Sequence, residues 1–409
     1  ALNGTWRHWQ GGGRKLAYQR IVLDPLADNT VVPVQLLKND GRVLASATTT
    51  TLPKQLGNPS SPFIVFLGSC FWVKNDAAGH VGRTYSRLPA AARPHIKILC
   101  GDQVYLDAPW QKFFQHTHGP EELARMHFQR YLETWTQDPQ GFASLLAVGA
   151  NYFCSDDHEF WNNAPDRATL VLDTWYPLFR NSRKDWWRIA CELYRAFQTE
   201  VPGTQSLRVG TLSFFIAETR FYRENDQRSF MRPTDLAALS AWISQLQGPG
   251  VVVIGQPVFA KESGVVGQFT DWSLPDYRQY PELMRVLARA RHTLVLLTGD
   301  VHHGRLASCH LATGEKLVEV ISSPLALVDK NAGLKWEPAP ERLAVNGIPA
   351  FAGRPIETDR GLQTYADQFT TLEFSAWGAS VRMKMRVWPI DKTNTGVSPL
   401  FERDILLGD

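Results

Sequence analysis

Four consecutive residues, Asp156-Asp157-His158-Glu159, place three carboxylates and an imidazole within one turn of chain. Packed into a plain core those carboxylates would repel one another unless a cation compensates, so the cluster reads as a metal site. Two Gly-Asp pairs, Gly101-Asp102 and Gly299-Asp300, suit the same chemistry. Glycine lets the backbone bend sharply so that the aspartate projects from the turn. Alone, either pair reads as a satisfied turn or helix-cap aspartate. Tyr105 stands three residues after Asp102, and His302 lies two after Asp300, on the same side of an extended segment. Carboxylate, phenolate and imidazole together suit a hard or borderline metal ion.

Each cluster follows a short, almost continuous apolar run. Phe63–Leu67 precedes Gly68-Ser69-Cys70, Ile96–Leu99 precedes Gly101-Asp102, and Tyr152–Cys154 precedes the acidic cluster. Phe214–Ala217 leads to Glu218-Thr219-Arg220, Val251–Ile254 to Gly255-Gln256-Pro257, Leu294–Leu297 to Gly299-Asp300-Val301-His302, and Leu317–Ile321 to Ser322-Ser323-Pro324. Their length and Val/Ile content predict buried strands. Helices separate several of them: Leu123, His127, Tyr131 and Trp135 recur every fourth residue, as one helix face requires. A helix capped by Thr234 and running through Leu246 is predicted to end at Gly248, and Pro281–Arg291 is predicted to be helical before the Leu294 strand. The alternation implies an α/β domain, whose ligands bind beyond the carboxyl ends of the strands, where the polar clusters lie.

The ends of the chain read differently. Residues 1–60 form a small β-rich segment in which Thr30–Leu37 and Arg42–Thr51 flank an Asp40-Gly41 turn; residues 61–409 form the main domain. Val381, Met383, Met385 and Val387 alternate with Arg382, Lys384 and Arg386, predicting a half-buried antiparallel strand with Thr371–Ala376 as hairpin partner. The stretch 325–370 reads as irregular. The 409 residues are 44% hydrophobic and 20% charged, the composition of a packed globular chain. A net charge of +3, spread diffusely, argues against a sequence-specific nucleic-acid partner. Apolar runs fall short of the roughly 18 residues that a membrane span needs. Five cysteines, odd in number and unpatterned, read as free thiols and small buried hydrophobes, with Cys70 set apart by its position. The chain opens at Ala1 without a recognisable leader, which leaves the cytoplasm and export after signal removal both open. No feature sets an oligomeric state.

Taken in order, Gly68-Ser69-Cys70, Gly101-Asp102-Gln103-Val104-Tyr105, Asp156-Asp157-His158-Glu159 with Asn162-Asn163, Thr219-Arg220-Phe221-Tyr222-Arg223, Gly299-Asp300-Val301-His302 and Ser322-Ser323-Pro324 resemble one family. It is the alkaline phosphatase D (PhoD-like) family of the calcineurin-like binuclear metallophosphatase superfamily, and the match runs from about Phe63 to Pro324. The wider superfamily carries Asp-x-His, Gly-Asn-His and Gly-His-x-His where Cys70, Asp157 and Asp300 stand here, which points to that branch. Glu218 stands where an Asp is expected before Thr219-Arg220.

The resemblance implies a two-sheet sandwich flanked by helices, with a small N-terminal β element. It implies one metal held by Cys70, Asp102, Tyr105 and His302, and Asp102 bridging to a second held by Asp157 and Asp300. Fe3+ with Ca2+ is the family expectation, with Zn2+ or Mn2+ as other occupants; thiolate and phenolate favour the trivalent or thiophilic ion and carboxylates the hard one. The implied activity is hydrolysis of a small phosphate ester, in which a hydroxide held between metals about 3.5–4 Å apart attacks phosphorus in line. A phosphodiesterase or phospholipase-like enzyme is the alternative within that chemistry, and a non-catalytic metal-binding protein is the alternative outside it.

His158, one residue past a ligand, is expected to contact a phosphoryl oxygen or protonate the leaving group. Arg220 and Arg223 follow another strand end, where a guanidinium fork clamps phosphate or the metal-site carboxylates, or forms a structural salt bridge. Asn162 and Asn163 either donate to substrate or close the loop. Gln256 is placed near the site, and His303 reads as a supporting or exposed residue rather than a ligand. Trp110, Phe113, Phe114, Phe160, Trp161, Trp175, Tyr176, Phe179, Trp186 and Trp187 crowd one segment; most read as core and a minority as an apolar rim. Arg180, Arg183, Lys184 and Arg188 read as a solvated helix face or as a seat for a second anion.

Overall fold

A computed structural model describes residues 5–21, 26–108, 119–137, 140–167, 180–264, 267, 271–327, 335–343, 345, 347–393 and 396–408. Trp110, Phe113, Phe114, Trp175, Tyr176, Phe179 and the side chain of Arg180 lie outside the described set.

Two ribbons open the chain. β1 (Arg7–Gly11) pairs antiparallel with β2 (Arg14–Tyr18), and β3 (Val31–Leu37) with β4 (Val43–Thr50) across the expected Asp-Gly turn. Two large sheets follow. The first contains β5 (Phe63–Gly68), β6 (Ile96–Cys100) and β7 (Ala150–Cys154), which run parallel. The second contains β8 (Gln205–Val209), β9 (Leu212–Ile216), β10 (Gly250–Val253), β11 (Leu294–Thr298), β12 (Arg305–His310), β13 (Lys316–Ile321) and β14 (Ile356–Thr358), in the order β14-β12-β13-β11-β10-β9-β8. β15 (Gln368–Trp377), β16 (Ser380–Pro389) and β17 (Phe401–Leu407) then complete the first sheet as an antiparallel meander, in the order β17-β16-β15-β5-β6-β7. The alternation seen at 381–387 matches a strand whose odd residues are buried against the other sheet.

Val65, Leu67, Ile96 and Ile98 from the first sheet meet Val251, Val253, Val295 and Leu297 from the second, forming one apolar layer between them. Full burial of each such side chain contributes about 1.5–3 kcal/mol, which fixes the sheets face to face. Helices cover the outer faces: α1 (His80–Ser86), α2 (Pro120–Trp135), α3 (Phe142–Leu146) and α4 (Arg180–Phe197), then α5 (Pro233–Ser244) and α6 (Tyr280–Leu287). α5 and α6 pack with the outer face of the second sheet, while α1 and α3 cover the first. α2 and α4 pack on each other with Trp9 of β1 stacked on Phe128, 5.1 Å between ring centres.

Two expectations change. Thr234 does not cap α5, because the helix begins at Pro233 with Arg232 at the cap position; proline suits the first helical position, where no amide hydrogen is needed. The 325–370 stretch, read as irregular, carries the short strand β14, antiparallel to β12. Among the described residues no helix is long and apolar enough to cross a membrane. All five cysteines are buried and unbridged.

Parallel strands end on the same side, and that places the chemistry. Cys70, Asp102, Asp156, Glu218 and Asp300 each stand two residues beyond the last residue of β5, β6, β7, β9 and β11. Backbone bonds stitch the turns together: the Cys70 amide donates to the Gly101 carbonyl at 3.2 Å and Gly299 to Gly255 at 2.9 Å. The Ser69 hydroxyl joins the two sheets by donating to the Ser322 carbonyl at 3.1 Å. Gly101 has φ +85°, and a Cβ there would come within 2.4 Å of the Asp156 Cβ, so only glycine lets these two turns meet.

Candidate metal centre

Left-handed backbone costs a side-chain-bearing residue of order 1–2 kcal/mol. Eight described non-glycine residues adopt it, and five of them lie in these turns: Cys70 (φ +58°), Asp102 (+58°), Asn163 (+67°), Asp300 (+69°) and His302 (+52°). Such concentration of strain marks a site whose side chains are aimed at a purpose other than stability.

Cys70, Asp102 and His302 bring one ligand atom each within 4.8 Å of one another, and Asp102, Asp157 and His158 do the same. The Cys70 thiol lies 3.5 Å from Asp102 Oδ2 and accepts a 3.1 Å bond from the Ser323 hydroxyl. Burial, opposed by that hydroxyl and reinforced by Asp300, pushes the thiol pKa up to about 12. Tyr105 Oη is sealed from solvent with no hydrogen-bond partner among the described residues, and burial together with Cys70 and Asp102 raises its pKa well above the usual range. Asp102 is raised first by burial and then by Cys70, and Asp157 first by burial. Half-buried His302 is held down to about 4 by desolvation and by His158. Asp300 joins neither cluster; its Oδ2 accepts from Gln256 Nε2 at 3.2 Å, and burial and Asp156 raise its pKa.

A third cluster, Asp156, Asp157 and Asp271, adjoins these. Arg220, with no exposed surface, donates from Nε to Asp156 at 2.7 Å and from Nη2 to Asp271 at 2.7 Å, and gives Nη1 to the Ala164 carbonyl. Of the three readings of this arginine, its fork occupies carboxylates. Asp156 Oδ2 has no hydrogen-bond partner among the described residues. Arg223 donates to Gln256 at 2.6 Å and lies 4.8 Å from the centre of the Tyr277 ring. Asn163 gives its amide hydrogen to Asp157 at 2.6 Å, while its side chain joins the Gly267 carbonyl and the Trp272 amide, closing a loop. The Asn162 amide donates to Asp107 at 2.7 Å.

Asp107, which the sequence reading passed over, orders the imidazole. Its Oδ1 lies 2.8 Å from His158 Nδ1, leaving Nε2 as the other ring nitrogen, and the Tyr105 ring covers the imidazole at 4.2 Å. Burial works against a charged His158, but Asp107, Asp157 and Asp102 outweigh it and its pKa is raised well above the usual value. Glu159 supports the whole turn: its carboxylate accepts from the amides of Asp102 (2.8 Å), Gln103 (2.7 Å) and Asp156 (2.9 Å) and from the Gln198 side chain just past the end of α4 (3.1 Å). Glu218 is likewise consumed internally, by Ser155, Tyr194 and the amides of Arg220 and Phe221. His303 is buried, with Nε2 unpartnered among the described residues.

Asp107 shares the loop of Asp102, so proximity in sequence was its available signal. Asp271 follows no strand and had none. Thiol, phenol, imidazole and carboxylates crowded beyond what arginine neutralises, with Tyr105 Oη and Asp156 Oδ2 orphaned, are a donor set that fits metal cations.

No protein-family model matches the chain, and no curated protein is similar to it. Among solved structures, the chain is similar to a purple acid phosphatase, PPD1, from seeds of yellow lupin (Lupinus luteus): TM-score 0.52, 13% identity, 94% of this chain and 61% of that one. Looser overlaps join it to GAP50, the anchor in the inner membrane complex of Plasmodium (TM-score 0.42, 9% identity, 85% and 90% of the two chains), and to Vps29 of Chaetomium thermophilum (0.27, 8%, 86% and 99%). The chain therefore has the two-sheet α/β fold of the metallophosphatases, and it spans 61% of the lupin protein's length.

Proposed function

We propose that this chain is a metal-dependent phosphoric-ester hydrolase of the alkaline phosphatase D type, acting on small phosphate esters. The observation that supports it most is the placement of Cys70, Asp102 and His302 beside a histidine already paired to a buried aspartate. Cys70, Asp102, Tyr105 and His302 would hold one cation, with Fe3+ matching thiolate and phenolate. Asp102 would be shared with a second, held with Asp157 and Asp300, for which Ca2+ fits the carboxylates and Zn2+ or Mn2+ are alternatives. Bound there, the cations supply Lewis-acid polarisation of the phosphoryl group and an acidified water.

The chain's own residues do the rest. Asp107 holds His158 in one orientation and favours its protonated form, so that Nε2 can donate to a phosphoryl or leaving-group oxygen. Arg220 and Glu159 keep the acidic turns in register without being spent on substrate.

Asp107→Asn is expected to lower kcat/KM roughly 10- to 100-fold, less than the roughly 10²–10⁴-fold carried by a proton donor itself. Metal content of the purified variant should equal that of the parent, because Asp107 belongs to none of the three ligand clusters. Metal loss in this variant would show that Asp107 shapes the centre instead. Steady-state assays on matched aryl phosphate mono- and diesters test the function. Turnover of either supports hydrolysis and identifies the preferred class; full metal occupancy without turnover of any phosphate ester would favour a binding protein.

A further inference from the structure

Every residue from Pro33 to Thr48 is exposed, on both faces of the β3-β4 ribbon. Four large apolar side chains crowd its tip: Leu36, Leu37, Val43 and Leu44 are each 49–53% exposed. Single apolar residues scattered over a surface are ordinary, but six of the fifteen large ones exposed among the described residues fall within 31–44. Neither strand contributes to a core cluster among the described residues, so the ribbon stands off the body. A two-stranded ribbon is marginal by itself and gains from whatever covers its apolar tip.

Successive residues of a strand face opposite ways, so Leu36, opposite Ala45, lies on one face and Leu37, opposite Val43, on the other. A folded partner covers one face of a ribbon, whereas apolar groups on both faces call for a medium that surrounds the tip. Addition of a further strand is also blocked. The Thr48 amide donates to the Ala147 carbonyl at 3.0 Å, away from β3, so Pro33, opposite Thr48, turns its nitrogen to the free edge, where proline has no hydrogen to give. Charge then narrows the medium. Lys38 and Arg42 bracket the turn, both exposed, and Asp40 between them is 3.6 Å from Lys38. Residues 1–60 hold seven Lys and Arg against three Asp and no Glu, so the chain's net +3 is not diffuse but resides in this segment. An apolar tip bracketed by basic residues matches a bilayer surface that carries anionic headgroups. Its insertion is shallow, because hydrocarbon cannot satisfy the open edges of a ribbon. The ribbon is tied to the body where Thr48 bridges to Val148, just ahead of β7, while the candidate centre lies beyond the carboxyl ends of the strands, so the two are separate sites.

We propose that the β3-β4 tip docks this chain onto an anionic lipid surface, with Leu36, Leu37, Val43 and Leu44 entering the headgroup boundary and Lys38 and Arg42 meeting lipid phosphates. The inference does not depend on the hydrolase reading. The test is sedimentation of the full chain with vesicles of phosphatidylcholine alone and of phosphatidylcholine and phosphatidylglycerol in equal parts. The parent should bind the mixed vesicles at least about tenfold more tightly than the neutral ones, and added salt should weaken that binding. Leu37→Ser with Leu44→Ser should lower affinity for the mixed vesicles by more than about tenfold. Lys38→Gln with Arg42→Gln should lower it about fivefold per charge. Both double variants change exposed positions only and should melt with the parent. A polarity-sensitive fluorophore on Leu37→Cys, selective because the five native cysteines are buried, should shift to the blue on the mixed vesicles. Absence of parent binding to the mixed vesicles overturns the proposal, as does equal binding to both kinds or binding that the two double variants retain in full. Self-association in analytical ultracentrifugation that the serine variant abolishes, without vesicle binding, would assign the tip to a contact between two copies and overturn it as well.

Discussion

Asp102→Asn protein is expected to emerge from purification without its metals and with kcat/KM on phosphate esters reduced by more than about 100-fold. Loss of groups that merely support metal ligands already costs about 10–100-fold, and Asp102 is itself a member of two of the three ligand clusters. The substitution is a clean one. Asn is among the few residues that tolerate left-handed backbone, so φ +58° is kept, and the amide at 102 still donates to Glu159. The apoprotein should not be destabilised. Burial and the neighbouring Cys70 raise the folded-state pKa of Asp102, so near neutral pH the ionised carboxylate is less comfortable in the folded protein than in the unfolded chain. A neutral amide removes that penalty, and the metal-free variant should melt at or above the metal-free parent. A variant that retained both metals, or whose apoprotein unfolded well below the parent, would remove Asp102 from the role of shared ligand.

His158→Asn is expected to do the opposite with the metals: full occupancy, with kcat lowered by about 10²–10⁴, the contribution of a positioned proton donor. The Asn side-chain amide can replace Nδ1 as the partner of Asp107 Oδ1, so the buried carboxylate keeps a donor beside the one it has from the Asn162 amide. What disappears is Nε2. The backbone amide at 158 still donates to Asp102 Oδ1, 3.2 Å away, which keeps the shared aspartate in place. Metal analysis and single-turnover kinetics on the same preparation separate the two effects. Undiminished turnover would show that His158 carries no proton in the reaction, and loss of metal would make it a ligand.

Much of the fold was legible because parallel strands buried on both faces must be short continuous apolar runs, and because a site at their carboxyl ends must begin within a few residues of each run. Cys70, Asp102, Asp157 and His302 stand just past such runs in the sequence, and in the structure they fall into two adjoining clusters that share Asp102. Asp300 was found equally well but its carboxylate turns to Gln256, a choice of rotamer that no sequence pattern encodes. Arg220 stands at its strand end, yet what its fork grips depends on Asp271, delivered by a loop distant in sequence and free of periodicity. Asp107 was hidden for a different reason: an aspartate five residues past a Gly-Asp turn looks like any loop residue until the turn closes on His158. The left-handed backbone at Cys70 and His302 was also invisible, since neither residue type suggests positive φ and the surrounding bonds impose it. At α5, Pro233 occupies the first helical position, so the helix starts one residue ahead of Thr234 and Arg232 stands at the cap.

The most direct test of the central claim is the metal content of the purified, chelator-free protein after reconstitution with iron and calcium, manganese or zinc, read by mass spectrometry alongside hydrolysis of an aryl phosphate. The expected result is two tightly held ions per chain, a visible charge-transfer band when iron occupies the Cys70 and Tyr105 position, and hydrolysis that chelation removes and metal restores. A chain that binds none of these ions tightly, or one that hydrolyses the ester equally well after exhaustive chelation, would contradict it.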